Sequence, residues 1–127
     1  MSDTLTLGRK LVELCKAQKA SEALATLYSP QIVSIEAQGS PDMPARMEGI
    51  DAIKGKNDWF ESSYEVHKAD AKGPWPHGDR FIVNFTYDVT AKSGPMAGQR
   101  MTLDEAALYT VRDGKIVQEE FFYHMGS

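Results

Sequence analysis

Four side chains in this 127-residue chain could carry acid–base chemistry if the fold brings them together: Glu36, His67, Glu105 and Glu119. Each falls in a run that reads as a strand, at a position whose parity points it inward. Around them, Trp59, Phe85, Tyr87, Tyr109, Phe121 and Tyr123 would supply ligand-binding aromatic surface. A carboxyl in such surroundings loses hydration, which raises its pKa and makes it a usable base near neutral pH. Several carboxyls beside an imidazole can keep one group charged and another protonated. That combination suits removal of a proton α to a carbonyl, with the enolate oxygen held by a donor. Aromatic walls suit a flat, partly apolar substrate. In this reading Glu36 is the general base, while Glu105 and His67 hold the oxygen or relay the proton. Plainer roles stand beside it. Glu36 could accept hydrogen bonds from the loop behind it, Glu105 could pair with His67, and the aromatics could be core.

The elements that must position these groups follow from periodicity. Leu7, Leu11, Leu14 and Cys15 recur at helical spacing and predict an amphipathic helix over 5–18. Ser21 can cap a second, short helix with Leu24, Leu27 and Tyr28 as its apolar stripe. Pro30 ends the helical part, and 32–36 reads as a strand. The proline- and glycine-rich stretch 37–49 reads as a loop, and a third helix starts near Gly49 with Ile50, Ile53, Asn57 and Phe60 on one stripe. Strands follow. Residues 65–72 alternate, with His67, Ala69 and Ala71 on one side, and 73–79 reads as a connection. The alternation is cleanest where Phe81, Val83, Phe85, Tyr87 and Val89 oppose Ile82, Asn84, Thr86, Asp88 and Thr90. Over 99–124 the chain forms a long hairpin around Asp113-Gly114, a strong turn signal. In that hairpin Met101, Leu103, Glu105, Ala107, Tyr109 and Val111 share a face, as do Val117, Glu119, Phe121 and Tyr123. Helices first and meandering strands after imply an α+β domain with one sheet packed on its helices. The small inward residues Ala69, Ala71 and Ala107 leave room for a pocket or for close helix approach.

Totals narrow the function classes. The length fits one domain spanning 1–127. A net charge of −4 with interspersed signs offers no basic stripe for phosphates, which argues against nucleic acid. The single Cys15 excludes an internal disulfide and fits a reducing cytoplasm, and on the first apolar stripe it reads as core filler. No apolar run reaches membrane-spanning length. His67, His77 and His124 show no metal-ligand spacing, and no Gly-x-Ser-x-Gly elbow exists, so neither a metal nor another cofactor is expected. The face away from the helices keeps Ile82, Leu108, Ile116 and Phe122, which points to a protein partner.

The stretches YSPQIVSIEAQG, MEGIDAIKGKNDWF, PWPHGDRFIVNF and LYTVRDGKIVQEEFFY, in this order, resemble the nuclear transport factor 2-like (NTF2-like) superfamily. Within it the chain is similar to the SnoaL-like polyketide cyclase group and, more distantly, to ketosteroid isomerase. The resemblance covers nearly the whole chain. It implies three N-terminal helices packed in the concave face of a curved, mainly antiparallel sheet, the cystatin-like or NTF2-like cone. It also implies a homodimer through the outer sheet face. Glu36 matches the position of the isomerase's proton-moving carboxylate. Glu105 falls about one inward position from its oxyanion-holding acid. The isomerase's tyrosine on the first helix has no counterpart, since that region reads Leu11-Val12-Glu13-Leu14. This departure argues against steroid isomerisation. Cyclases of the SnoaL type use a cavity aspartate without a covalent intermediate, a role open to Glu36, Glu105 or Glu119. The implied function is a cofactor-independent isomerase, cyclase or lyase acting on an enolisable small molecule, or a non-catalytic ligand-binding or dimerisation domain.

Overall fold

The computed structural model describes residues 2–41 and 43–124. Its elements run α1 (Ser2–Lys16), α2 (Ala20–Leu27), β1 (Tyr28–Ile35), β2 (Arg46–Glu48), α3 (Ile50–Ser63), β3 (Tyr64–His77), β4 (Arg80–Ala91), β5 (Arg100–Arg112) and β6 (Lys115–Phe122). The six strands form one curved sheet in the order β2-β1-β6-β5-β4-β3. The first and last long strands, β1 and β6, lie side by side in parallel, and the other four pairings are antiparallel.

Apolar periodicity explains the assembly. Leu7 and Leu11 of α1, Leu24 and Leu27 of α2 and Ile53 of α3 are buried in one core. Phe81, Val83 and Phe85 of β4, and Ala107 and Tyr109 of β5, complete it from the sheet. The strict alternation of β4 and β5 holds in register. Phe81 faces Tyr109, Val83 faces Ala107, and Phe85 faces Glu105, all on the inner side. Gly8 lets α1 settle onto the sheet, since a Cβ there would lie 2.8 Å from the Pro74 ring and 3.2 Å from Phe81. Of the inward alanines, Ala71 and Ala107 are buried in the core and Ala69 is half-buried. The hairpin turn is as read, with Asp113 and Gly114 both at positive φ, as a two-residue turn of this kind requires.

Boundaries differ from the sequence reading where local signals compete with sheet pairing. β1 begins at Tyr28 and carries Pro30 within a break in its pairing with β6. A short strand, β2, lies inside the expected loop and pairs with β1. Residues 73–77, read as a connection, continue β3, because an edge strand tolerates proline.

Two one-residue irregularities reverse the expected parity. Val66 pairs with Val89 and Lys68 with Asp88, leaving His67 as an extra residue. Val111 pairs with Ile116 and Thr110 with Gln118, leaving Val117 extra. Such bulges re-aim side chains. His67 turns to the outer face, and Ile116 turns inward and is fully buried. Among the described residues, no helix is long and apolar enough to cross a membrane.

Candidate functional site

Glu119 is the anchor of the interior. It projects inward from β6 opposite Tyr109 and is 2% exposed. A buried carboxylate is costly unless donors satisfy it. Here the Tyr28 hydroxyl donates to Oε1 at 2.6 Å, and the Ser34 hydroxyl donates to Oε2 at 2.7 Å. The parallel β1–β6 pairing supplies this match, since Ser34 sits directly beside Glu119.

Lys56 of α3 provides the counter-charge. It lies three residues after buried Ile53 and four before Phe60, so helical geometry turns it to the core side. Its ammonium donates to Ser34 Oγ at 2.7 Å, to Glu36 Oε2 at 2.7 Å and to Glu119 Oε2 at 3.2 Å. It also stands over the Phe121 ring, 4.5 Å from its centre, in a cation–π contact. Burial acts to lower the Lys56 ammonium, but the charges of Glu119 and Glu36 outweigh it and hold it above its ordinary value. The Tyr123 hydroxyl donates to Glu36 Oε1 at 3.0 Å, closing the network. Burial and the neighbouring Glu36 push that phenol up to about 12.

Glu105 differs from both other carboxyls. It faces the same interior from β5, yet among the described residues its carboxyl has no hydrogen-bond donor. Among the described residues no buried side-chain nitrogen or oxygen lacks a partner, so its oxygens keep some access to solvent. Burial first, and then the charge of Glu36, push its pKa up from 4.5 to about 7; Lys56 pulls down and Glu119 pushes up. Tyr87, diagonal to it across the β4–β5 pairing, also has no hydrogen-bond partner among the described residues. Burial and the charge of Glu105 raise its phenol well above the ordinary value, so it stays a donor. Aromatic rings back it: Phe85 stacks 6.0 Å away and Phe60 lies 5.6 Å away, centre to centre.

The fold therefore brings together Glu36, Glu105, Glu119, Tyr87, Phe121 and Tyr123. His67 is not with them; it is exposed and hydrogen-bonded to Thr90 at 2.7 Å. Trp59 is 49% exposed on α3, edge-on to Tyr64. Tyr109 and Phe85 are buried core residues, Tyr109 stacking on Phe81 at 5.0 Å. Two surface recesses, one beside Arg9 and Lys16 and another beside Asp79 and Asp113, contain none of the clustered groups. Sequence reasoning missed Lys56, Tyr28 and Ser34. The i+3 spacing of Lys56 from Ile53 was the available signal.

A family model for the SnoaL-like domain matches residues 3–123. The chain belongs to the SnoaL-like family. A solved structure from Mesorhizobium loti, named after the SnoaL-like polyketide cyclases, is 36% identical, with 93% of this chain and 97% of that one covered at a TM-score of 0.84. An NTF2-like protein from Burkholderia pseudomallei is 21% identical, with 98% and 92% covered and a TM-score of 0.77. A Xanthomonas campestris protein with a cystatin-like fold is 15% identical, with 94% and 88% covered and a TM-score of 0.71. These last two share the fold. No curated protein matches the chain significantly. This SnoaL-like chain thus joins a common scaffold to an interior of three carboxyls and one ammonium.

Proposed function

We propose that this SnoaL-like protein is a cofactor-independent enzyme that moves a proton on a small, enolisable carbonyl compound, as in isomerisation or cyclisation. The observation that carries it is the free, largely desolvated carboxyl of Glu105 among neighbours whose carboxylates are fully engaged. A carboxyl with a pKa of about 7 is divided between base and acid near neutral pH. Glu105 then takes the proton α to the carbonyl and returns it elsewhere. Tyr87, held protonated, donates to the developing enolate oxygen. Glu36, the base on the sequence reading, is tied to Lys56 and Tyr123 and takes a supporting role.

The polyketide cyclase name of the 36%-identical structure supports the same class of chemistry. Ligand binding without turnover is the second reading, favoured by the mutual pairing of Glu36, Lys56 and Glu119. We also propose a homodimer through the outer sheet face. Trp75, Ile82 and Phe122 are exposed there, and register sets Trp75 beside Ile82 and Ile82 beside Leu108. Ile116 drops out of this face, being buried inside.

The test is solvent-deuterium exchange into a panel of β-keto esters and cyclic ketones, followed by proton NMR. Exchange above the buffer rate that falls at least about 100-fold in Glu105→Gln supports the enzyme reading. Exchange that survives in Glu105→Gln but vanishes in Glu36→Gln would return the base to Glu36. Panel members that raise the melting temperature without exchanging would favour binding alone.

A further inference from the structure

The three interior carboxyls are chemically alike, yet the structure treats one differently. Glu119 receives Tyr28, Ser34 and Lys56, Glu36 receives Lys56 and Tyr123, and Glu105 receives nothing among the described residues. An ammonium has three N–H groups, and the three of Lys56 are matched by Ser34, Glu36 and Glu119. With the Phe121 ring on a further side, it has no donor left for Glu105 or for a ligand. Lys56 therefore cannot be the group that holds a reacting oxygen. Its geometry serves the other carboxyls.

We propose that Lys56 is a positioning residue: it locks Glu36 and Glu119 as hydrogen-bond acceptors and thereby leaves Glu105 as the one interior carboxyl free to exchange a proton. This rests on the reading of Glu105 as the proton-transfer group. The other titratable groups facing this interior do not compete for the proton. Burial pushes Cys15 up to about 12, Tyr123 also stands at about 12, and Tyr28, Tyr87 and Tyr109 are raised by burial well beyond neutral pH. That leaves three carboxyls and one ammonium. Without Lys56 the carboxylates lose their only interior counter-charge among the described residues, and like charges in a largely desolvated site cannot all stay ionised. A second carboxyl then holds a proton near neutral pH, and the division of labour is lost.

The experiment is a pH titration of protein carrying carbon-13 at glutamate Cδ, with resonances assigned by single Glu→Gln variants. In the unmodified protein one interior carboxyl, Glu105, titrates above about pH 6, outside the ordinary range for glutamate. In Lys56→Met two do. Lys56→Met/Glu119→Gln removes one charge of each sign, which restores the interior balance and the single titration. This double variant removes the buried Glu119 carboxylate and leaves Glu36 with Tyr123 as its donor, so two titrating carboxyls in it would count against the role of Lys56 even if Lys56→Met does not fold. A single titrating carboxyl in Lys56→Met, or two in the double variant, would overturn the role of Lys56 while leaving Glu105 as base. An ordinary titration of Glu105 in the unmodified protein would overturn both.

Discussion

Replacing Glu105 by Gln should stabilise this protein, and by an amount that depends on pH. The carboxyl's ordinary value is 4.5 and its value in the fold is about 7. Because the folded value is the higher one, the folded protein keeps the proton after the unfolded chain has released it. Between these two pH values folding binds a proton, so stability falls as pH rises. At about 1.4 kcal/mol per pH unit, the interval amounts to about 3 kcal/mol, fully lost above pH 7. Gln keeps the shape and a polar head but cannot ionise. Glu105→Gln and the parent should therefore be about equally stable near pH 4.5. The variant should gain progressively above that, reaching about 3 kcal/mol, or roughly 10 °C in melting temperature, by pH 8. Thermal melts of the pair from pH 4.5 to pH 8, followed by circular dichroism, read this difference directly. The difference between the curves isolates Glu105, since every other titrating group is shared. Curves that run parallel would refute the claim that Glu105 is held in a desolvated, like-charged site. Retention of so costly a group is what a functional role accounts for.

Two further outcomes test neighbouring parts of the structure. Tyr28→Phe removes the 2.6 Å donor from buried Glu119 and should cost about 1–3 kcal/mol in urea unfolding, whereas Tyr64→Phe, whose hydroxyl makes no described hydrogen bond, should change little. Ile82→Asp places a charge in the outer apolar face and should convert a dimer to a monomer by light scattering; an unchanged mass would remove that face from the assembly.

Much of the fold was legible because β4 and β5 alternate without interruption and Asp113-Gly114 marks their neighbour's turn. The inward placement of Glu105 and Glu119 followed from parity alone. His67 and Ile116 were misassigned for one shared reason. A single extra residue inverts every face assignment on one side of it, and nothing in the residue types around Val66 or Val117 announces it. Lys56 was overlooked because a charged helical residue is read as solvated, while its burial depends on Glu36 and Glu119, which lie 20 and 63 residues away. Periodicity can show which face a carboxylate is on. It cannot show which cation meets it.

The parallel neighbours β1 and β6 have a consequence for how the chain is made. Among the described residues, β1 and β2 join the rest of the sheet only through β6, which follows the other five strands in the chain. Until residues from Lys115 onward are available, β1 lacks its inner neighbour and the core lacks Ile116 and Glu119. The contacts of Glu119 with Ser34 and Tyr28 span 85 and 91 residues of chain, the kind of distant closure that slows folding. Assembly of the polar interior thus waits until β6 has been made, and the strand that completes the sheet also delivers its buried charge.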